Sequence, residues 1–231
     1  LAILASIAFG TKVDSDAIYV EGISSIAAAD LAAADELGYR IKLLGITKRK
    51  PDGIELRVHP TLIPERRLIA NVEGVMNAVL VKGDAVGATL YYGAGAGAEP
   101  TASAVIADLV DVTRMHTADP EHRVPHLAFQ PDQLSSLPFL PMGEVETSYY
   151  LRMRVLDQPG VLADITRILA DREISIDAMI QKEPSEGEDQ TDIIMLTHKT
   201  VERGIDDAIA KIEALPTVRG KIVRIRMEEL N

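Results

Sequence analysis

The stretch Tyr149-Tyr-Leu-Arg-Met-Arg-Val-Leu156, Asp157-Gln-Pro-Gly160, Val161-Leu-Ala-Asp-Ile-Thr-Arg-Ile-Leu169 decides how the second half of the chain folds. Its first eight residues read as a strand. Pro159 and Gly160 end that strand and open a helix, because proline is pre-set for a first helical turn and lacks an N–H that the turn would leave unpaired. Val161, Leu162, Ile165, Ile168 and Leu169 follow at the spacing of a single helical face. Ile174, Ile176, Ala178 and Ile180 then alternate with Ser175, Asp177 and Met179, as in a strand with one buried face. Residues 191–197 read as another strand. Val201, Ile205, Ala208, Ile209 and Ile212 mark a second helix, and residues 218–225 a last strand. The order βαββαβ is the split, ferredoxin-like arrangement: a four-stranded antiparallel sheet with both helices on one face.

Upstream, residues 118–148 carry Pro120, Pro125, Pro131, Pro138 and Pro141 and show neither helical nor strand period. Proline fixes φ and cannot donate to a ladder, so this segment reads as a linker or an extended wrapping strap. It divides the chain into domains at 1–117 and 149–231. In the first, residues 1–9 read as a helix ended by Gly10, and residues 25–37 as an alanine-rich helix stopped by Gly38. Residues 39–48 and 54–59 form a hairpin about Lys50-Pro51-Asp52-Gly53. Two further strands, 75–81 and 85–92, flank Lys82-Gly83-Asp84, and a glycine-dense loop leads into a helix over 101–116. The fold class is α+β: a mixed α/β first domain with antiparallel pairing, followed by the ferredoxin-like unit.

Composition narrows the function. The 231 residues carry a formal charge of −11 with 47% apolar residues, which excludes a disordered chain and makes nucleic acid an unfavourable partner. There is no cysteine, so disulfides, thiolate nucleophiles and Cys-based zinc sites are ruled out, and the default compartment is the reducing cytoplasm. The apolar opening, residues 1–9, is about half of what a bilayer crossing needs and has no basic segment before it, so no membrane segment is expected. A first residue of Leu, entering at once into helix-like sequence without a cap, reads as a piece of something longer.

Three motifs carry candidate chemistry. Gly93-Ala-Gly-Ala-Gly-Ala98, between a strand and a helix, satisfies G-x-G-x-x-A in its first six positions. Glycines let backbone N–H groups approach a pyrophosphate. Against a Rossmann unit, a proline-rich segment follows instead of a second parallel strand, and Glu99 places a negative charge at the loop edge. A structural turn and a cofactor-contacting loop therefore both stand. Asp157-Gln-Pro-Gly160 joins a strand to a helix N-terminus, where free N–H groups suit a carboxylate; the alternative is that Asp157 caps the helix. Five histidines, at 59, 116, 122, 126 and 198, show no metal-binding spacing, and Pro125 keeps His122 and His126 out of a regular helix, so no metal is expected.

Several runs resemble a known family. Leu1-Ala-Ile-Leu-Ala-Ser-Ile-Ala-Phe-Gly10, Val20-Glu-Gly-Ile23, Leu37-Gly-Tyr-Arg-Ile-Lys-Leu-Leu-Gly45, Arg57-Val-His-Pro-Thr-Leu-Ile-Pro64 and Tyr91-Tyr-Gly-Ala-Gly-Ala-Gly97 with Pro100-Thr-Ala-Ser-Ala104 resemble homoserine dehydrogenase. Asp157-Gln-Pro-Gly-Val-Leu162, Ile174-Ser-Ile176 and Ile180-Gln-Lys-Glu183 look like the ACT domain that many bacterial members carry. The resemblance implies a substrate and dimerisation domain (1–117), a Pro-rich linker (118–148) and an ACT regulatory domain (149–231). It implies NADP- or NAD-dependent interconversion of L-homoserine and L-aspartate 4-semialdehyde, on the route to threonine, isoleucine and methionine, in a cytoplasmic homo-oligomer, a dimer or higher. The family's Rossmann domain is absent from this chain. Its catalytic lysine is expected just before Leu1, so no catalytic residue carries over. Gly95 and Gly97 carry over as cofactor contacts, and Asp157, Gly160 and Val161 as an effector site, with L-threonine the expected ligand. The alternative is a non-catalytic amino-acid-binding regulatory and dimerisation module.

Overall fold

The computed structural model describes residues 1–12, 14–116, 128–184 and 187–230. They form two compact units, one of Leu1–Pro64 with Ser135–Asn231 and one of Glu65–Leu134. Compactness thus follows other lines than the proline-rich segment: residues 1–64 belong with the C-terminal part of the chain. His122 and His126 lie outside the described residues.

The first unit opens with α1 (Ala2–Phe9), closed by Gly10 at φ 58°, a left-handed stop. Then come β1 (Tyr19–Val20), α2 (Ala28–Glu36), β2 (Tyr39–Lys50) and β3 (Gly53–Pro64). The expected hairpin is present and longer than its apolar runs, pairing from Tyr39↔Pro64 to Lys50↔Gly53. Its C-terminal part contributes β6 (Glu146–Leu156), α4 (Val161–Ala170), β7 (Ile176–Gln181), β8 (Gln190–Thr197), β9 (Thr200–Val201), α5 (Glu202–Glu213) and β10 (Val218–Met227). The strands β10-β6-β8-β7 lie side by side and antiparallel, the order a βαββαβ chain produces. Gly220, at φ 72°, sits where the β10–β6 register slips, so the extra residues of a bulge are absorbed at a glycine.

Both helices pack on one face of that sheet. Val161, Ile165 and Leu169 of α4 and Ile205, Ala208 and Ile212 of α5 join Leu151, Met153, Val155, Ile193 and Met195 in the largest core cluster. Val201 is not part of that face: it stays 41% exposed and precedes the helix, which starts at Glu202. The opposite face is closed by α2, whose Ala33 packs with Leu62, Tyr150, Ile194, Leu196, Ile225 and Met227.

The sheet does not end at β10. An edge strand leaves a row of unpaired backbone groups, and here β3 takes it in parallel, through Arg226↔Thr61, Met227↔Leu62 and a bond from Glu228 N to Leu62 O at 3.0 Å. Residues from the two ends of the sequence therefore share one sheet. The end of the proline-rich segment is a strap across this unit. Ser135 N donates to Gly10 O at 2.8 Å, Ile54 N to Pro138 O at 2.9 Å and Leu140 N to Ile54 O at 2.9 Å, while Leu137 and Phe139 cover Ala5, Ile54 and Leu56. Gly53 is required there, since a Cβ would overlap the Pro138 carbonyl oxygen.

The second unit holds β4 (Met76–Gly83) and β5 (Gly87–Ala94), an antiparallel pair in a sheet of their own, and α3 (Ala98–His116). Among its described residues Ala70 is the one buried hydrophobic, and α3 buries no residue. Val105, Ile106 and Leu109 of α3 and Tyr91 and Tyr92 of β5 are each more than half exposed. Among the described residues no helix is long and apolar enough to cross a membrane.

Candidate functional site

The glycine loop runs from the end of β5 into α3. Ladder pairing continues through Asn77↔Gly93 and Met76↔Ala94, and Gly95 N then donates to Val75 O at 3.1 Å. At Gly97 the backbone turns to φ 121°, and its carbonyl accepts from Thr101 N at 3.2 Å, so this residue leads the chain into the helix. Residues 93–100 are all exposed. The strand before the loop pairs only with β4, antiparallel, so the glycines do not belong to a parallel βαβ unit, as the sequence context indicated. What they provide is exposed backbone at the N-terminus of a 19-residue helix, with Glu99 in its first turn. Exposed N–H groups at the positive end of a helix dipole suit an anionic or amide-bearing ligand, whereas Glu99 disfavours a phosphate close beside it.

The second loop, between β6 and α4, does not take the alternative in which Asp157 caps the helix. Gly160 is the N-cap, at φ 94° and ψ −22°, and no side chain caps α4. Asp157 N donates to Asp189 O at 2.9 Å, and its Oδ1 accepts from Gln181 Nε2 at 3.5 Å, which turns the carboxylate toward β7. Val161 N donates to Gln158 O over a long 3.4 Å, while the Val161 side chain is buried in the core. Among the described residues the Gly160, Leu162 and Ala163 amides have no acceptor. A Cβ on Gly160 would meet nothing within 4 Å, so the helix start faces open space. Asp157, Gly160 and Val161 are thus brought together at an uncapped helix N-terminus, with a carboxylate on one side.

Sequence reasoning missed a buried ionic seam where β3 meets β10. Arg226, 1% exposed, donates from Nε to Glu202 Oε2 at 2.9 Å, from Nη1 to Glu21 Oε2 at 2.8 Å and from Nη2 to the Tyr19 hydroxyl at 3.1 Å, with its guanidinium 4.9 Å from the Tyr19 ring centre. Tyr149 OH donates to Glu202 at 2.7 Å. Beside it, buried Arg57 donates to Glu55 at 3.2 Å, to Glu228 at 2.5 Å and to His59 Nε2 at 2.8 Å. An arginine can only donate, so His59 carries its proton on Nδ1 and gives it to Pro60 O at 2.9 Å. Burial, together with the charges of Arg226 and Arg57, pushes the His59 pKa down to about 4. Burial works to raise the Glu202 carboxyl, but Arg226 and Arg224 outweigh it and hold it below its usual range; Lys48 and Arg57 do the same for Glu228. A third cluster ties α2 to β6: Asp30 accepts from Arg152 Nε at 2.6 Å, Tyr150 OH at 3.1 Å and Ala27 N at 2.9 Å. The signal for the seam is the period-2 run Glu55, Arg57, His59, Thr61 facing Arg224, Arg226, Glu228. By itself such alternation reads as a solvent face.

Residues 1–110 match the homoserine dehydrogenase family model, and residues 149–217 match that of the ACT domain. The whole chain is 60% identical to a homoserine dehydrogenase of Pseudomonas aeruginosa and 57% identical, over 233 aligned residues, to one of Neisseria gonorrhoeae, covering 53% of each. It aligns over its full length with a crystal structure of a homoserine dehydrogenase from Thiobacillus denitrificans, at 69% identity and a TM-score of 0.92, covering 52% of that chain. The chain spans about half the length of the curated relatives it matches.

Proposed function

Because residues 1–110 belong to the homoserine dehydrogenase family and residues 149–217 to the ACT domain family, we propose that the chain is the C-terminal portion of an NAD(P)-dependent homoserine dehydrogenase. The activity is the interconversion of L-homoserine and L-aspartate 4-semialdehyde. The carrying observation is the 69% identity at a TM-score of 0.92 across the entire chain, through both matched regions in order. Gly95 and Gly97 of the exposed loop would lie against a bound nicotinamide cofactor, which would supply or accept the hydride. The proposed divisions are those of the sequence, 1–117, 118–148 and 149–231. General acid–base chemistry needs a titratable group within reach of the substrate hydroxyl, and we assign no residue of this chain to that role. The purified 231-residue chain is expected to show no turnover of homoserine with either cofactor, and the full-length polypeptide to turn it over. Equal rates from the two would move the catalytic group into this chain; no turnover by the full-length polypeptide would leave the reading as a non-catalytic regulatory module.

The ACT portion senses a small amino acid, with L-threonine the proposed ligand. The uncapped amides at Gly160 and beyond receive its α-carboxylate, and Asp157 its ammonium. Calorimetry of the chain with threonine, isoleucine and methionine tests this. Binding of threonine that Gly160→Val abolishes supports the site, and no binding below millimolar overturns it. The chain also acts as a homo-oligomer. The exposed apolar residues of β5 and α3 support this reading, because a two-stranded sheet with one helix is marginal without a covered face.

A further inference from the structure

Asn77 interrupts the apolar strand Met76-Asn-Ala-Val-Leu-Val81, where asparagine is disfavoured and nothing in the fold of the strand calls for it. Its side chain is not idle. Nδ2 donates to Val75 O at 3.3 Å, and the same carbonyl accepts the Gly95 N–H at 3.1 Å. A carbonyl can only accept, so the nitrogen of the carboxamide is the atom turned inward. A Cβ on Gly95 would overlap that carboxamide, lying 2.8 Å from its Cγ, yet would stand 3.6 Å from the Asn77 Cβ, an ordinary contact. A methyl at 95 would therefore displace the Asn77 carboxamide from the Val75 carbonyl. The asparagine fills the place of the missing side chain and shares the carbonyl that anchors the loop.

We propose that Asn77 is a positioning residue for the dinucleotide cofactor, acting through the backbone of residues 95–97. This rests on the reading of Gly95 and Gly97 as cofactor contacts. By packing against Gly95 and bonding to Val75 O it holds the path of the loop between β5 and α3, where no buried core does so.

The full-length enzyme carrying this stretch tests it by fluorescence titration of NADPH, with KM for homoserine measured alongside. Asn77→Ala weakens cofactor binding about tenfold and leaves the homoserine KM within about twofold, a split that general loss of structure would not give. Gly95→Ala, which drives a methyl into the carboxamide, weakens it more. The double variant Gly95→Ala/Asn77→Ala returns to within about threefold of the parent, since the two methyls fit and contacting residues are not additive. Cofactor affinity unchanged in Asn77→Ala, or a double variant as weak as the two single losses combined, overturns the role of Asn77. Gly97→Ala separates the two readings: at φ 121° an added side chain strains the loop. If it weakens cofactor binding while Asn77→Ala does not, only the positioning role fails. If neither changes it, the loop does not contact cofactor and both readings fall.

Discussion

The ionic seam between β3 and β10 and the hairpin–helix unit of residues 65–134 are opposite solutions to the same problem. At the seam, fully buried arginines meet carboxylates that are buried or, at Glu21, partly so, and these arginines are paired within the chain. In the hairpin–helix unit, apolar residues that would ordinarily be covered stay exposed. The first region carries its partners with it, so its integrity is a property of this chain alone. The second leaves those residues open within this chain, which suits a region proposed to hold a cofactor and a second subunit.

The sharpest way to break the comparison is to remove one member of the seam. Arg226→Met leaves Glu202 and Glu21 with Arg224 as their remaining cation, at 3.0 and 3.9 Å, and since stripping a buried charge of its partner costs about 3–5 kcal/mol, the loss should approach that range. Denaturant unfolding of the chain should show that loss, and Arg226→Met with Glu202→Gln should recover part of it. A cost under about 1 kcal/mol would mean the cluster is solvated and not a clamp. Asp30→Ala comes next at about 2–4 kcal/mol, because it strands Arg152 and removes the acceptor that Ala27 N uses at the start of α2. Its effect should fall on unfolding and leave the secondary-structure signal of the folded state intact.

Acid provides a graded test of the same contrast. His59 is neutral in the fold down to about pH 4, while an unfolded histidine protonates near 6.5. Between those values the unfolded chain binds the extra proton, so stability falls as pH falls from 6.5 to 4. Glu202 and Glu228, held below their usual range, extend the loss below about pH 4.5 as they protonate. His59→Asn should flatten the slope between pH 6.5 and 4 and leave the lower limb in place. An unchanged slope would remove His59 from the account.

The smallest effect on stability is expected where the exposure is greatest. Ile106→Glu changes a residue 59% exposed in a helix that buries nothing, so the unfolding midpoint should move by under about 0.5 kcal/mol. The same change should shift sedimentation from an assembled species toward the 25.0 kDa chain. An assembly indifferent to Ile106→Glu, or a parent chain already at 25.0 kDa, would show that α3 is not the surface that subunits share.

Much of this was written in local sequence. The helical face Val161 to Leu169, the alternation of 174–180 and the two later elements were enough for βαββαβ, because periods of 3.6 and 2 are properties of the backbone and need no knowledge of neighbours. Gly10 and the Pro51–Gly53 turn marked their ends for the same reason. The glycine loop was legible as a strand-to-helix connection without a parallel partner. Asn77 had a faint signal, a polar residue in an apolar strand, but its meaning depends on Gly95, eighteen positions away and brought alongside by the hairpin register.

What the sequence determined by itself, then, is the longer elements, their order and the two loops where backbone is left open, though not the two-residue strands β1 and β9. What only the tertiary structure decided is which strands become neighbours across the chain. Placing β3 beside β10 turned Glu55, Arg57 and His59 from an apparent solvent face into a buried one, while the β6-β8-β7 order brought Gln181 to Asp157. The physical reason is that burial and charge pairing are properties of pairs far apart in sequence. A strand with one polar face is satisfied equally by water or by an opposing set of charges, and local pattern cannot distinguish them.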